Sequence, residues 1–262
     1  MVASAWCRCP SQRLPRHLFS SLLSYFFVLV VGLFAGCVSG IIGTGSSLLL
    51  LPILVYQFGP KHAVPIMAIA AVMGNLARVA AWWSQIDWKA VAAYAIPGAP
   101  AAALGASTML ALPSSVVEAM LGLFFLAMIP LRRLQARLAW RPTLWHLAFA
   151  GALIGFLTGL VLSTGPLSVP VFTAYGLASG AFIATEAASA LALYVSKVAT
   201  FRQLGAAPLE ILLQGGIVGA SLMVGTYGGK AVLKRLEVST FHRMLDALMV
   251  VSGFALLWRA AH

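Results

Sequence analysis

Residues 34–54 read FAGCVSGIIGTGSSLLLLPIL, a run of small and apolar residues with four glycines and no charge. The whole chain of 262 residues is similarly apolar, with 61% hydrophobic residues, 9% charged residues and a mean hydropathy of +0.96. Soluble domains contain roughly 45–50% apolar and about 25% charged residues. The composition therefore predicts an integral membrane protein, in which the glycines interrupt an apolar segment.

Apolar segments recur along most of the chain. Segments of about 20 residues are long enough to span a bilayer as helices, but residues 46–58 and 165–175 are too short to do so. Each short segment follows a full-length one, from which a Gly/Ser/Thr cluster separates it. We expect an all-α polytopic membrane protein in which two of the apolar segments are broken.

The chain also contains an internal repeat. A shift of 119 residues superimposes three glycines spaced by four and one basic residue: Gly32, Gly36, Gly40 and Arg78 fall on Gly151, Gly155, Gly159 and Lys197. Many transporters are built from such duplications. We therefore expect an N-terminal tail (1–17), a first transmembrane repeat (18–137), a linker (138–143) and a second repeat (144–262).

The basic residues predict the orientation in the membrane. Arginines precede the first span and fill the central linker: Arg8, Arg13, Arg16, Arg132, Arg133, Arg137 and Arg141. The positive-inside rule places both groups in the cytoplasm, so an even number of spans must separate them. We expect about eight transmembrane helices in the cell inner membrane, four per half, with a re-entrant short segment in each half. The basic residues that give the net charge of +11 flank or interrupt these spans, so the charge does not indicate nucleic-acid binding.

Three interpretations compete for the glycine-rich stretch. Residues 34–37 approximate a lipoprotein cleavage box, but the equivalent stretch of the second half has no cysteine. A phosphate-binding loop would need a lysine after the glycines or an acidic residue about 20 positions later, whereas residues 48–51 are leucines. The third interpretation is a broken membrane helix, which is tolerated where the freed backbone faces protein or a water-filled cavity.

The two breaks are the predicted substrate-binding sites. A short helix that begins at Ser46 or Pro166 would direct its free N–H groups and the positive end of its dipole at the break, where an anion binds favourably. The predicted binding residues of the breaks are Gly43, Thr44, Gly45, Ser46, Ser47, Ser163, Thr164 and Gly165. We assign Gly32, Gly36 and Gly40 to close helix packing, because small residues spaced by four usually mark helix contacts.

Polar residues inside the apolar segments extend the predicted site. Arg78, about two turns before the end of a helix over 62–84, and Lys197 at the matching position would attract an anion, or would extend to a membrane interface instead. Asn75 would bind substrate or a neighbouring helix. Glu186 precedes Lys197 by 11 residues, on nearly the same helix face, and is a candidate for proton coupling or for pairing with a cation.

No enzymatic chemistry is predicted. The five histidines fall at or near segment ends and form no catalytic set with an acid or a cysteine, and the three cysteines match no metal site. We expect no cofactor and no metal. The function classes that stay open are a secondary permease for a small anion, an uncoupled anion channel and a non-transporting membrane scaffold.

These motifs resemble the sulfite exporter TauE/SafE family of membrane permeases. The resemblance rests on an ordered set of residues: Gly36 and Gly40 to Gly45, Leu50 to Pro52, Ile86 to Trp88, Pro97 and Gly98, Gly105 and Ala106, Gly155 and Gly159, and Thr164 to Pro166. The family usually has a run of glycines where this chain has Ser46 and Ser47. The resemblance implies transport of small sulfur-containing anions such as sulfite, sulfonates or sulfoacetate across the inner membrane.

Overall fold

The computed structural model describes residues 29–36, 46–135, 142–161, 165–177, 179–232 and 238–261, and regular structure within these ranges is helical throughout. The first helix, α1, is described over residues 29–36. The others are α2 (Ser46–Phe58), α3 (Pro60–Ala81), α4 (Trp88–Ala111), α5 (Ser114–Gln135), α6 (Leu144–Val161), α7 (Gly165–Ala174), α8 (Ser179–Gln203), α9 (Leu209–Val232) and α10 (Val238–Ala261).

Within these ranges, five helices are long and apolar enough to cross a membrane: Lys61–Ala81, Trp88–Ala111, Leu144–Val161, Gly180–Gln203 and Leu209–Thr226. Two shorter apolar helices, Ser114–Ala127 and Met249–Ala261, accompany them. The prediction of an all-α, multi-pass membrane protein is confirmed. The number of membrane crossings and the division into two homologous halves stay predictions.

The short helices begin close to the predicted positions. Helix α2 has 13 residues and begins at Ser46, and α7 has 10 residues and begins at Gly165, one residue before Pro166. At about 1.5 Å per residue, neither can cross a hydrocarbon core of about 30 Å alone. Glycines with positive φ, Gly59 (73°) and Gly176 (103°), form the turns to the next helices, since L-residues rarely adopt this conformation.

Close contacts between backbones align α4 with α6. A Cβ on Gly151, Gly155 or Gly159 of α6 would collide with the backbone of α4, at residues 94, 98 and 102–106 respectively. Bringing two membrane helices this close requires small residues at the contact. Gly36 of α1 approaches the α9 backbone in the same way, and a Cβ on Gly32 would collide with the Ser221 side chain of α9. These contacts confirm the packing role of both glycines, while Gly40 lies outside the described residues.

The same contacts give the relative directions of the helices. Along α4 and α6 the paired residue numbers rise together, as they do along α4 and α8, where the Asp87 backbone N–H donates to Thr185 Oγ1 and Ser196 Oγ donates to the Ala99 carbonyl. Helices α4, α6 and α8 are therefore parallel. Likewise α1 and α3 both run parallel to α9. The contacts of the α9 glycines and of Ser221 show that the paired residue numbers rise together along both pairs of helices.

These directions correct the re-entrant interpretation of the short segments. A re-entrant segment returns to the side from which it entered, so the helices before and after it would run in opposite directions. Here α6 and α8 are parallel, and so are α1 and α3. Between the end of α6 and the start of α8 the chain therefore returns toward the side where α6 began, and it does the same between α1 and α3. The described directions do not fit a re-entrant segment, while the number of spans in each half stays a prediction.

The end of α3 also differs from the prediction. The helix ends at Ala81 rather than at residue 84, because Trp82 leaves the helical conformation (φ −132°, ψ 23°) and residues 83–85 form a short 3₁₀ turn. Arg78 therefore lies in the last turn of α3 and not two turns inside it. Asp87 caps α4, since its carboxylate accepts hydrogen bonds from the Lys89 and Ala90 backbone N–H groups at 3.0 and 3.2 Å.

Candidate functional site: buried charges beside the broken helices

A buried ion pair joins α3 to α8. These helices cross antiparallel, since Arg78 contacts Glu186 while the end of α3 at Trp82 packs on Gly180 at the start of α8. Arg78 Nη1 lies 3.2 Å from Glu186 Oε2, and the two side chains are only 12% and 4% exposed. The ion pair therefore links residues that are far apart in sequence within the helical core.

Asn75 holds the arginine in place from its own helix. Arg78 Nη2 donates to Asn75 Oδ1 at 2.5 Å, and Asn75 Nδ2 donates to the Ala71 carbonyl at 2.8 Å. Asn75 thus lies one turn before Arg78, buried, with its oxygen facing the guanidinium. The described contacts of Asn75 lie within its own helix, and its two predicted roles, binding substrate or a neighbouring helix, stay predictions.

Helix α7 supplies the second partner of the carboxylate. Ser168 lies one turn after the start of α7, and its Oγ is 3.0 Å from both Glu186 Oε1 and the Gly165 carbonyl oxygen. A hydroxyl has one proton to donate, so it satisfies one of these oxygens at a time. Glu186 is thereby contacted by a cation from α3 and a hydroxyl from the broken-helix region.

Lys197 occupies a different environment, although it matches Arg78 in the repeat. Its side chain is completely buried, and Nζ donates to the Thr158 carbonyl of α6 at 2.6 Å and lies 5.4 Å from the centre of the Phe201 ring. Thr158 lies in the last turn of α6. The ammonium therefore binds the negative end of the α6 dipole, and it points into the protein rather than to an interface.

The two cations lie near opposite ends of the α3–α8 crossing. Glu186 and Lys197 are 11 residues apart on α8, which corresponds to about 16 Å along the helix axis. The Arg78–Glu186 pair is consequently separated from Lys197 by about three helical turns. That both cations attract an anion stays a prediction, and the structure places the two side chains at different positions along α8.

The breaks themselves are only partly described. Gly43, Thr44, Gly45, Ser163 and Thr164 lie outside the described residues. Ser46 and Ser47 begin α2, Gly165 begins α7, and the Gly165 carbonyl lies beside Ser168. Gly165 is thus a predicted break residue that lies next to the Glu186 contacts, through Ser168.

Sequence analysis did not single out Ser168 or the Thr158 carbonyl. Ser168 aligns with Leu49 in the repeat, so the duplication gave no signal for it. Its polarity one turn into a short apolar helix was the available indication. A backbone carbonyl at a helix end has no sequence signal of its own. Ser189, one turn after Glu186, is another buried hydroxyl, and its Oγ has no hydrogen-bond partner within the part of the chain that the structure describes.

Comparison with known proteins identifies the class. Residues 28–256 match the sulfite exporter TauE/SafE family, and the chain belongs to this family of membrane transporters. A protein described as probable membrane transporter protein YjnA of Bacillus subtilis is 24% identical over 88% of this chain and 98% of its own length. The probable membrane transporter protein y4hK of Sinorhizobium fredii is 29% identical over 66% of this chain and 73% of its own length. No solved structure matches.

Proposed function

We propose that this transporter is a secondary permease that moves a small oxyanion across the inner membrane, with sulfite as the first substrate to test. One observation carries the proposal: charged and hydroxyl side chains are buried where α3, α7 and α8 meet, next to the start of a broken helix. Charged residues inside membrane helices are costly and usually mark a substrate or ion pathway. The name of the matched family supports the choice of sulfite as a probe.

The proposed architecture consists of two homologous halves, residues 18–137 and 144–262, inserted in opposite orientations. Equivalent helices begin 119 residues apart, as α2 and α7 do, and so do α3 and α8. The parallel contact of α3 with α9 has its counterpart in the contact of α8 with α4. Helices α3 and α8 are equivalent in the two halves and cross antiparallel. A pseudo-two-fold axis in the membrane plane, which relates halves of opposite orientation, requires this.

The proposed mechanism is alternating access around the breaks. The helix starts at Ser46 and Gly165 direct backbone N–H groups toward the ends of the breaks, where they can bind an anion. Lys197 supplies positive charge near one end of the α3–α8 crossing, and Arg78, which is paired with Glu186, lies near the other end. Rocking of one half against the other would open the substrate site to each side in turn. The cytoplasmic location of the N-terminal tail belongs to the same proposal.

Glu186 is the proposed coupling residue. Its carboxylate accepts from Arg78 and from Ser168, so protonation would remove the charge that holds the guanidinium. A proton could thereby weaken the link between α3 and α8 during the transport cycle. The variant Glu186→Gln should lose the dependence of transport on a pH gradient, and retention of that dependence would rule out this role.

Uptake of radiolabelled sulfite into proteoliposomes tests the proposed function. The full chain should produce saturable uptake above that of empty liposomes. Accumulation of methanesulfonate, a sulfonate that stays singly charged on both sides of a pH gradient, above its external concentration would distinguish a permease from a channel, which can only equilibrate the anion with its electrochemical gradient. Membrane potential should be clamped in both arms. Uptake no faster than in empty liposomes would contradict sulfite as substrate, and a wider panel of anions would then test the proposal of an anion permease.

A further inference from the structure

The two cations of the core differ in the charge that faces them. The guanidinium of Arg78 is paired with the Glu186 carboxylate, so this pair adds no net charge to the interior. Within the described residues, the salt bridges involve Glu186 and Glu118, and neither contacts Lys197. Among the residues that the structure describes, the groups that contact the Lys197 ammonium are a carbonyl and an aromatic ring.

These contacts compensate the Lys197 charge only in part. The C-terminal end of a helix carries about half of a negative elementary charge, and the electron-rich face of an aromatic ring contributes a weaker attraction. Glu186 is about 16 Å away along α8. A charge that is removed from water in this way is strongly disfavoured without a counter-ion, so this position is suited to binding a mobile anion.

We propose that Lys197 is the charge partner of the transported anion and that its single positive charge makes the transporter selective for monovalent over divalent oxyanions. A monovalent anion neutralises the ammonium, whereas a divalent anion leaves one negative charge uncompensated in the interior. Arg78 positions Glu186 and does not share in this selection. This inference rests on the proposed function, since it specifies the class of anion for the same permease.

Methanesulfonate and sulfate form a suitable pair of probes. Both are tetrahedral sulfur oxyanions of similar size, and they carry one and two charges, respectively, at neutral pH. We expect uptake of radiolabelled methanesulfonate by the wild-type chain to exceed that of sulfate by at least tenfold at equal concentration. Equal uptake of the two anions, or faster uptake of sulfate, would overturn the inference. This arm uses no variant and therefore does not depend on whether a variant folds.

Variants test the assignment to Lys197. Lys197→Gln should lower methanesulfonate uptake at least tenfold. Arg202→Gln is the matched control, because Arg202 lies on the same helix and also donates to a backbone carbonyl, that of Ala207, but is exposed. It should retain uptake within about threefold of wild type. Both variants should elute as a single species in detergent. Uptake by Lys197→Gln equal to that of the Arg202 control would refute the assignment.

The pair on α3 and α8 supplies the last comparison. The double variant Arg78→Gln/Glu186→Gln removes one charge of each sign and should keep the ratio of methanesulfonate to sulfate uptake within about threefold, even if both rates fall. A collapse of this ratio would mean that Arg78 takes part in selection and would overturn the inference. Absence of uptake of sulfite, methanesulfonate and sulfate by the wild type would instead refute the proposed function, and the inference with it.

Discussion

Arg78 and Lys197 occupy matching positions in the repeat, yet their surroundings differ. Arg78 has a carboxylate partner at 3.2 Å, whereas Lys197 is completely buried against a helix end and an aromatic ring. The position equivalent to Glu186 in the first half is Met67, which is buried and apolar. The two predicted halves therefore each have a cation at this position, and among the described residues Arg78 has a carboxylate partner whereas Lys197 does not.

The largest effect on stability is expected at the paired end. Glu186→Gln leaves the Arg78 guanidinium buried without its counter-charge, and loss of one partner from a buried ion pair costs about 3–5 kcal/mol. The double variant Arg78→Gln/Glu186→Gln should cost clearly less than the sum of the two single variants. The free energy of unfolding can be measured by denaturant titration in detergent micelles.

The ion pair between Glu118 and Arg259 provides a control for this prediction. Its distance is also 3.2 Å, but the arginine side chain is 46% exposed. Exposed ion pairs contribute about 0–1 kcal/mol, so Glu118→Gln should be much less destabilising than Glu186→Gln. Equal losses at the two sites would show that the α3–α8 pair is not held in a more buried environment.

The next largest effect on stability is expected from the position of α6, whose Thr158 carbonyl accepts a hydrogen bond from Lys197 of α8. Gly155→Ala would place a methyl group against the Gly98 backbone and force α4 and α6 apart, at a cost of about 1–3 kcal/mol. Gly74→Ala is the control on the helix of Arg78, since a Cβ there meets no atom within 4 Å. It should be neutral or stabilising by up to about 1 kcal/mol. A destabilising effect of Gly74→Ala equal to that of Gly155→Ala would contradict the packing argument.

A smaller effect is expected from the hydroxyl that supports Glu186. Ser168→Ala removes a hydrogen bond of 3.0 Å to the carboxylate, while Arg78 still compensates its charge. The expected loss in the free energy of unfolding is about 1 kcal/mol. Ser107→Ala should have almost no effect, because that exposed hydroxyl donates to a carbonyl of its own helix. The midpoints of thermal unfolding of both variants should be measured in the same detergent, and equal midpoints would contradict the prediction.

Much of the fold could be predicted because it depends on local properties of the chain. Apolar length and the preceding glycines located the short helix α2, which has the predicted bounds of 46–58. The direction of the helices after each break was not predicted correctly, because it depends on which helices pack together. The glycine contacts between α4 and α6 determine the helix directions. The number of basic residues in the loops, which was used to predict the topology, carries no information about those contacts.

The candidate site shows the same division. The repeat located both cations, and helix geometry placed Glu186 near the face of Lys197. The pairing of Glu186 with Arg78 instead arises from the antiparallel crossing of α3 and α8. This crossing brings position 186 to position 78, which are separated by most of a repeat in the sequence. Partners that are backbone groups, such as the Thr158 carbonyl, can be identified only once the helices have been placed.

The smallest change in stability is expected at Lys197, and it provides the sharpest contrast with Glu186. Lys197→Met replaces a buried ammonium by an apolar side chain of similar length and leaves no buried charge unpaired. Apolar replacement of buried charged groups is often neutral or stabilising, and the main loss is a hydrogen bond to one carbonyl, worth about 1 kcal/mol. We therefore expect the free energy of unfolding to change by less than about 1 kcal/mol, while anion uptake is lost. A loss of stability as large as that of Glu186→Gln would mean that Lys197, like Arg78, is held by a structural ion pair, and the distinction between the two ends of the crossing would then disappear.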